Sequence, residues 1–346
     1  MKISLLSSDD GTIYRSPMQP WRLSIAPMLD VTDRHARFFY RLLAPNALLY
    51  TEMVTTGALV YGDVKRHLQF NPEEHPLALQ LGGSERADLV HAAKLGEAWG
   101  YDEINLNCGC PSERVQKRAF GACLMAESDL VADCLKAMQD AVSVPVTVKH
   151  RLGLDYSEDY GFVRDFVGTL MQKSATRIFI VHARNAVLKG LSPKDNREIP
   201  PLRYAWVAQL QRDFPEGLFI LNGGLSEVVQ MFEQAQAFAG IMVGRAAWHE
   251  PYRIAEISRL LWPETVHPDT DTIIRRMYEY AVKQNAEGVP LRFVFKPLLG
   301  LFNGQKGAKL WRRTLSDAAE LKKADPNLLL KTYDAFKKQS NYFVEN

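Results

Sequence analysis

The apolar positions of this chain fall into short continuous runs, separated by longer stretches with helical spacing. The runs are Leu23–Met28, Ala47–Met53, Leu77–Leu81, Glu103–Asn107, Val146–Lys149, Arg177–His182, Leu218–Leu221 and Gly240–Val243. They are too uniformly apolar for half-exposed antiparallel strands and read as buried parallel ones. Between them apolar residues recur at helical intervals, as at Leu130, Cys134, Leu135 and Met138, which share one helix face. Ser84, Ser128 and Ser226 stand at the start of three such stretches and read as N-caps. Eight strand–helix alternations predict an α/β fold, a (β/α)8 TIM barrel.

The alternation stops near Pro251. Helical patterns over Ile273–Gln284, Arg292–Phe302, Trp311–Lys323 and Asn327–Lys338 predict a small all-helical C-terminal domain. The expected organisation is an N-terminal extension at 1–20, a barrel at 21–260 and a helical domain at 261–346. The stretch Ala186–Pro201 reads as a long polar loop carrying Lys189, Lys194 and Arg197. Loops of that length in compact domains are often functional.

Composition adds little against this picture: 346 residues, 47% hydrophobic and 24% charged, suit one large domain plus a smaller one. Four cysteines, at 108, 110, 123 and 134, contain no CxxC pair, which suits a reducing cytosol and opposes a disulfide framework or a zinc site. The start of the chain has no basic-then-apolar signal pattern, and no apolar stretch approaches the roughly 20 residues that span a bilayer. A cytoplasmic protein without membrane or metal partners is expected.

Charge is more informative by place than by sum. Net charge is +2, yet from Pro251 to the end there are 16 basic and 11 acidic residues, leaving 26 against 29 elsewhere. Between Arg275 and Arg313 nine basic residues face two acidic ones. That asymmetry points to a polyanion-binding surface, although a solvated helical face reads equally well from charge alone.

In such barrels chemistry sits where the strands end. The fourth strand ends in Asn105-Leu106-Asn107-Cys108-Gly109-Cys110-Pro111, closed later by Gly121-Ala122. Glycine and proline break the strand there, so Cys110 is presented to a cleft. Asn105 and Asn107, on alternate positions, face the same side and would furnish a site for a ring with amide edges. A thiol is mostly protonated at neutral pH, so a cysteine at this corner reads as a proton donor. Cys134 falls on an apolar helix face and reads as core. Asn222-Gly223-Gly224 and Gly244-Arg245 end the seventh and eighth strands, where barrels commonly hold a phosphate. Lys149 could neutralise the electron-rich edge of a reduced flavin, or pair with Glu52 in the barrel core. His182 could bond a flavin carbonyl, or serve as a structural imidazole. Gln80 could bond a ring amide, or a neighbouring strand.

These residues resemble the tRNA-dihydrouridine synthases along nearly the whole chain. The resemblance rests on Ala26-Pro27-Met28, Thr51-Glu52-Met53, Gln80-Leu81-Gly82-Gly83, Asn105 to Asn107 with Gly109-Cys110-Pro111, Gly121-Ala122, Lys149, His182-Ala183-Arg184, Asn222-Gly223-Gly224 and Gly244-Arg245. The run Leu191 to Leu202, with Leu299 to Phe302 and Trp311-Arg312-Arg313, is similar to the bacterial A-type, which acts on D-loop uridines 20 and 20a. The resemblance implies FMN held by Ala26, Pro27, Met28, Gln80, Lys149, His182, Asn222, Gly223, Gly224, Gly244 and Arg245. It implies NADPH as reductant, hydride transfer to uracil C6, and a proton from Cys110 to C5. It implies tRNA contacts at Asn107, Arg184, Lys194, Arg197, Lys296 and Arg312, and a protein acting as a monomer. His150 stands where that pattern has threonine, Cys108 where it has an aliphatic residue, and Asn185 and Lys296 where Lys and Arg are expected. Rival readings are an FMN barrel acting on a free pyrimidine, such as a dihydroorotate dehydrogenase, and a tRNA-binding barrel without catalysis. The basic helical tail argues against the first.

Overall fold

In the computed structural model, residues 20–112, 115 and 120–341 are described. The expected N-terminal extension, Pro20 apart, lies outside them, as do Glu113 and Arg114. The strands are β1 (Leu23–Ile25), β2 (Leu48–Tyr50), β3 (Val54–Thr55), β4 (Leu77–Gly82), β5 (Glu103–Cys108), β6 (Val146–His150), β7 (Ile178–His182), β8 (Leu218–Asn222) and β9 (Gly240–Val243). All pair in parallel, in the order β2-β1-β9-β8-β7-β6-β5-β4, and β2 pairs with β4 to close an eight-stranded barrel. The short β3 pairs only with the end of β4. Helices α1 (Arg34–Leu43), α2 (Thr56–Tyr61), α3 (Val64–Leu68), α4 (Arg86–Trp99), α5 (Ser128–Ala141), α6 (Tyr160–Lys173), α7 (Tyr204–Asp213), α8 (Val228–Ala237), α9 (Arg245–His249) and α10 (Tyr252–Leu261) follow the strands in turn.

Strand alternation divides the apolar residues into two layers. Trp21, Leu48, Tyr50, Ala78, Ile178, Ile180, Ile220 and Met242 fill the barrel interior. Ile104, Leu106 and Cys108 of β5 face the other way, into the layer between barrel and helices. Glu103, Asn105 and Asn107 therefore point inward.

The expected boundaries shift where local chemistry intervenes. β1 stops at Ile25, ahead of Pro27, because proline cannot continue the ladder. The serines do not cap: Glu85, Glu127 and Glu227 occupy the N-cap positions, without side-chain cap bonds. The capping carboxylates are aspartates at other helices, Asp33 at α1 and Asp159 at α6 among them. In the tail, α11 (Thr270–Ala286) is longer than expected, and the next helix, α12 (Leu291–Phe295), gives way to a 3-10 turn at Lys296–Leu298 that contains Pro297. The third expected helix is two: α13 (Ala308–Leu315) and α14 (Ala318–Lys322), the second capped by Asp317. The last is α15 (Leu328–Asn341). This helical segment shares one apolar core with the outer layer of the barrel. Tyr280 stacks on Phe38 of α1 at 4.0 Å, and its hydroxyl lies 2.8 Å from Nδ1 of His35.

Candidate active site

The corner after β5 is built by its asparagine. Asn107 Oδ1 accepts the backbone N–H groups of Gly109 at 3.1 Å and Cys110 at 3.0 Å. The glycine this turn requires is Gly121 rather than Gly109. Gly121 has φ 78°, and a Cβ there would lie 2.4 Å from Val115 and 2.7 Å from the Cys110 carbonyl oxygen. That carbonyl accepts from Ala122 N at 2.9 Å, so the Gly-Ala pair holds the cysteine from behind. At Gly109 an added Cβ would make only ordinary contacts, at 3.5 Å. Cys110 is partly exposed, whereas Cys108 and Cys134 are buried and Cys123 Sγ donates to the Phe120 carbonyl. Burial pushes the thiols of Cys108 and Cys123 up, and that of Cys134 to about 11.

Lys149 enters the same mouth from β6. Its Nζ donates to Asn222 Oδ1 at 2.9 Å, and Asn222 Nδ2 donates to the Met242 carbonyl at 2.8 Å. Glu52 instead accepts from the backbone of Asp30, so the lysine–glutamate pairing is not formed. Burial, with Arg151 adding to it, lowers Lys149 to about 7. His182 at the end of β7 is buried, and desolvation followed by the nearby cations holds it well below its usual range, as a neutral ring. Gly223 (φ 110°) and Gly224 (φ 69°) follow β8 in left-handed backbone. A Cβ would strike His182 at 2.7 Å from the first and Leu202 at 2.4 Å from the second. Consecutive bare peptide units of this kind suit an anion. Ala26 N donates to the Val243 carbonyl, and partly buried Pro27 and Met28 follow it at the rim. A Cβ at Gly244 would sit 3.6 Å from Ala26 and 3.8 Å from Met28 Sδ, so glycine is not sterically demanded there.

Gln80 and Asn105 are buried, at 1% and 0% exposure. They bond each other, Gln80 Nε2 donating to Asn105 Oδ1 at 2.8 Å. Asn107 Nδ2 donates to Gln80 Oε1 at 2.9 Å, so both ends of the Asn107 amide are already engaged.

Arg151, which follows β6, ties the corner to the long loop. Nε donates to the Gly109 carbonyl at 2.9 Å, and Nη1 to those of Asn185 at 2.8 Å and Asn196 at 2.9 Å. The charges of Lys149, Arg151 and Arg197 lie within electrostatic reach of the Cys110 thiol. Arg184 is buried and braces the loop through the carbonyls of Glu198 and Pro200. Arg245 Nη1 pairs with Glu198 at 2.6 Å, and its Nη2 donates to the Arg197 carbonyl at 3.2 Å. Lys194 and Arg197 are exposed on the loop. Lys296 donates to the Asp30 carbonyl at 2.6 Å beneath Trp248, and exposed Arg312 bonds Asn303. Asn185 holds the carbonyls of Asp155 and Ser157. Among the described residues no cluster of His, Cys, Asp or Glu could hold a metal ion, and no helix is long and apolar enough to cross a membrane.

A model of the dihydrouridine synthase family matches residues 24–340. The tRNA-dihydrouridine(20/20a) synthase of Salmonella typhi is 50% identical over 315 residues, 91% of this chain and 95% of that one. Its counterpart in Escherichia coli K12 is 51% identical over 312 residues, 89% of each chain. That of Synechocystis sp. PCC 6803 is 51% identical over 308 residues, 89% of this chain and 92% of its own. With the match spanning barrel, site and helical tail alike, the chain belongs to the dihydrouridine synthase family.

Proposed function

We propose that this protein reduces D-loop uridines of tRNA, at positions 20 and 20a, to 5,6-dihydrouridine, with FMN as cofactor and NADPH as reductant. The observation that carries the chemistry is the strand-end geometry: Asn107 holds the Cys110 turn, Asn222 holds the Lys149 ammonium, and Arg151 Nε holds the Gly109 carbonyl beside the thiol. The names of relatives about 50% identical over about 90% of the chain support the choice of uridines.

The residues present fit the flavin. The paired left-handed glycines 223 and 224 make a bare anion cradle, Arg245 stands at the end of β9, and Lys149 lies partly exposed between them and the thiol. FMN reduced by NADPH would supply a hydride to uracil C6. The chain's own part begins with position. Asn222 fixes the Lys149 ammonium, which offers positive charge when protonated. Neutral His182 can donate from one ring nitrogen and accept at the other. Hydride at C6 leaves enolate character that needs a proton at C5. Cys110 S–H breaks as C5–H forms, leaving a thiolate within electrostatic reach of Arg151 and Arg197, and solvent returns the proton. Lys194 and Arg197 on the loop, with Arg312 and Arg313 on the tail, present exposed cations to RNA phosphates. A cleft of about 220 Å³ beside α1 is lined by cations (Arg34, Arg37, Arg66), the carboxylates Asp33 and Glu52, and Phe293.

The test is single-turnover oxidation of reduced enzyme by unmodified tRNA. Cys110→Ala keeps flavin and its reduction by NADPH, and loses about 10²–10⁴-fold in reoxidation by tRNA. Cys108→Ala and Cys123→Ala retain most activity. Parental turnover in Cys110→Ala, with loss in Cys108→Ala, would assign the proton to the other cysteine.

A further inference from the structure

Beneath the mouth, a line of side chains crosses the barrel interior without a break. The N–H groups of Gly109 and Cys110 donate to Asn107 Oδ1 at 3.1 and 3.0 Å. Asn107 Nδ2 donates to Gln80 Oε1 at 2.9 Å, and Gln80 Nε2 to Asn105 Oδ1 at 2.8 Å. Asn105 Nδ2 donates to Thr147 Oγ1 at 2.7 Å, and the Thr147 hydroxyl to Glu103 Oε1 at 2.6 Å. Glu103 also accepts from Tyr50 Oη and Trp21 Nε1, each at 2.6 Å. With a rise of about 3.3 Å per residue, Glu103 and Asn107 are about 13 Å apart along β5.

The direction of every link is forced. Backbone N–H groups can only donate, so Asn107 must turn its oxygen to the corner and its NH2 inward. Each following amide then has one consistent orientation, and the Thr147 hydroxyl, already accepting, must give its proton onward. The line therefore has to end on an acceptor. Thr147, Tyr50 and the indole N–H of Trp21 all donate to Glu103; burial raises its proton affinity, and these three donors oppose that shift. A unidirectional series of this kind polarises each of its members.

We infer that Glu103, at the far end of the barrel, acts through Thr147, Asn105, Gln80 and Asn107 as a positioning residue for the Cys110 turn. The inference rests on the reading of Cys110 as the proton donor. On it, Asn107 and Gln80 hold the Cys110 turn in register. Two groups remote from the mouth then influence the protonation step without touching substrate or cofactor.

The experiment uses the holoenzyme and compares Thr147→Val, which keeps the shape and removes the hydroxyl, with Thr147→Ser, which keeps the hydroxyl. Three quantities are read: reoxidation by tRNA, flavin reduction by NADPH, and the alkylation rate of Cys110 by iodoacetamide, followed on its own peptide. Thr147→Val slows reoxidation by about 10-fold or more, as small misplacements of a reacting group do. It also changes Cys110 alkylation severalfold and leaves tRNA affinity and NADPH reduction at parental values. Thr147→Ser restores the parental rates, and Glu103→Gln behaves as Thr147→Val. Parental reoxidation and alkylation in Thr147→Val would overturn the inference, as would an equal loss of NADPH reduction. Should Cys110→Ala itself turn over normally, the proton-donor reading falls alone, and the alkylation rates still decide whether the line sets the turn.

Discussion

At Arg245 the guanidinium has two claims on it. Its place at the end of β9 suits the flavin phosphate, yet here it is paired with Glu198 and the Arg197 carbonyl. The two roles separate by mutation. Arg245→Ala weakens flavin retention by about 1.5–3 kcal/mol, one charge-assisted hydrogen bond, read as flavin lost on dilution. Glu198→Gln frees the guanidinium and keeps flavin at parental affinity or better. Equal loss in both variants would show that Arg245 serves the loop rather than the phosphate. Lys149 shows the same dependence on a neighbour: its lowered proton affinity comes from burial, and Asn222 decides where the ammonium points.

The end of β6 shows how one element distributes consecutive residues. Lys149 faces the mouth, His150 faces outward into the core, and Arg151 reaches the loop. His150 Nδ1 donates to the Arg151 carbonyl at 2.7 Å, and its Nε2 has no partner among the described residues. Its ring packs 5.3 Å from Phe166 and 6.0 Å from Phe179. Burial lowers it from 6.5 to about 4. The unfolded chain therefore takes up a proton on this ring below about pH 6.5, while the folded chain resists until about pH 4. Its contribution is present above the first value and is lost as pH falls to the second, about 3 kcal/mol in all. His150→Thr lowers stability at neutral pH through lost packing, but the deficit shrinks on acidification. Urea unfolding at about pH 7 and about pH 4.5 measures it, and parallel losses in both proteins would remove His150 as the cause.

Across the whole molecule, the basic tail and the catalytic mouth are parts of one body. Lys296 reaches the loop after β1, and Tyr280 packs on α1, so the helical segment is held against the barrel rim. On the proposed reading, in which both parts contact tRNA phosphates, tRNA affinity falls steeply with salt. Charge reversal at Arg312 and Arg313 weakens tRNA binding, flattens the salt slope by about one contact per residue, and leaves NADPH oxidation unchanged. Affinity indifferent to both salt and these substitutions would place the RNA elsewhere.

Much of this architecture is local and so legible in the chain. Eight continuous apolar runs alternating with amphipathic stretches specify the barrel, because parallel strands buried on both faces need that pattern. Gly-Cys-Pro, Gly-Gly and Gly-Arg mark strand ends, because they stop strands and open the backbone. Each of the three caps is misread by one position, the N-cap falling on the glutamate next to the serine without a side-chain cap bond. What the chain alone leaves open is pairing. Arg245 meets Glu198, 47 positions away, and Thr147 meets Glu103, 44 away, because barrel closure and strand register bring them together. The role of Gly121 at the cysteine corner likewise depends on Val115 and Cys110 closing against it. Local pattern thus marked the strand ends from which the mouth is built. The tertiary structure decided which of them face a ligand and which are already bound to one another, because hydrogen-bond partners across a closed sheet are set by its stagger.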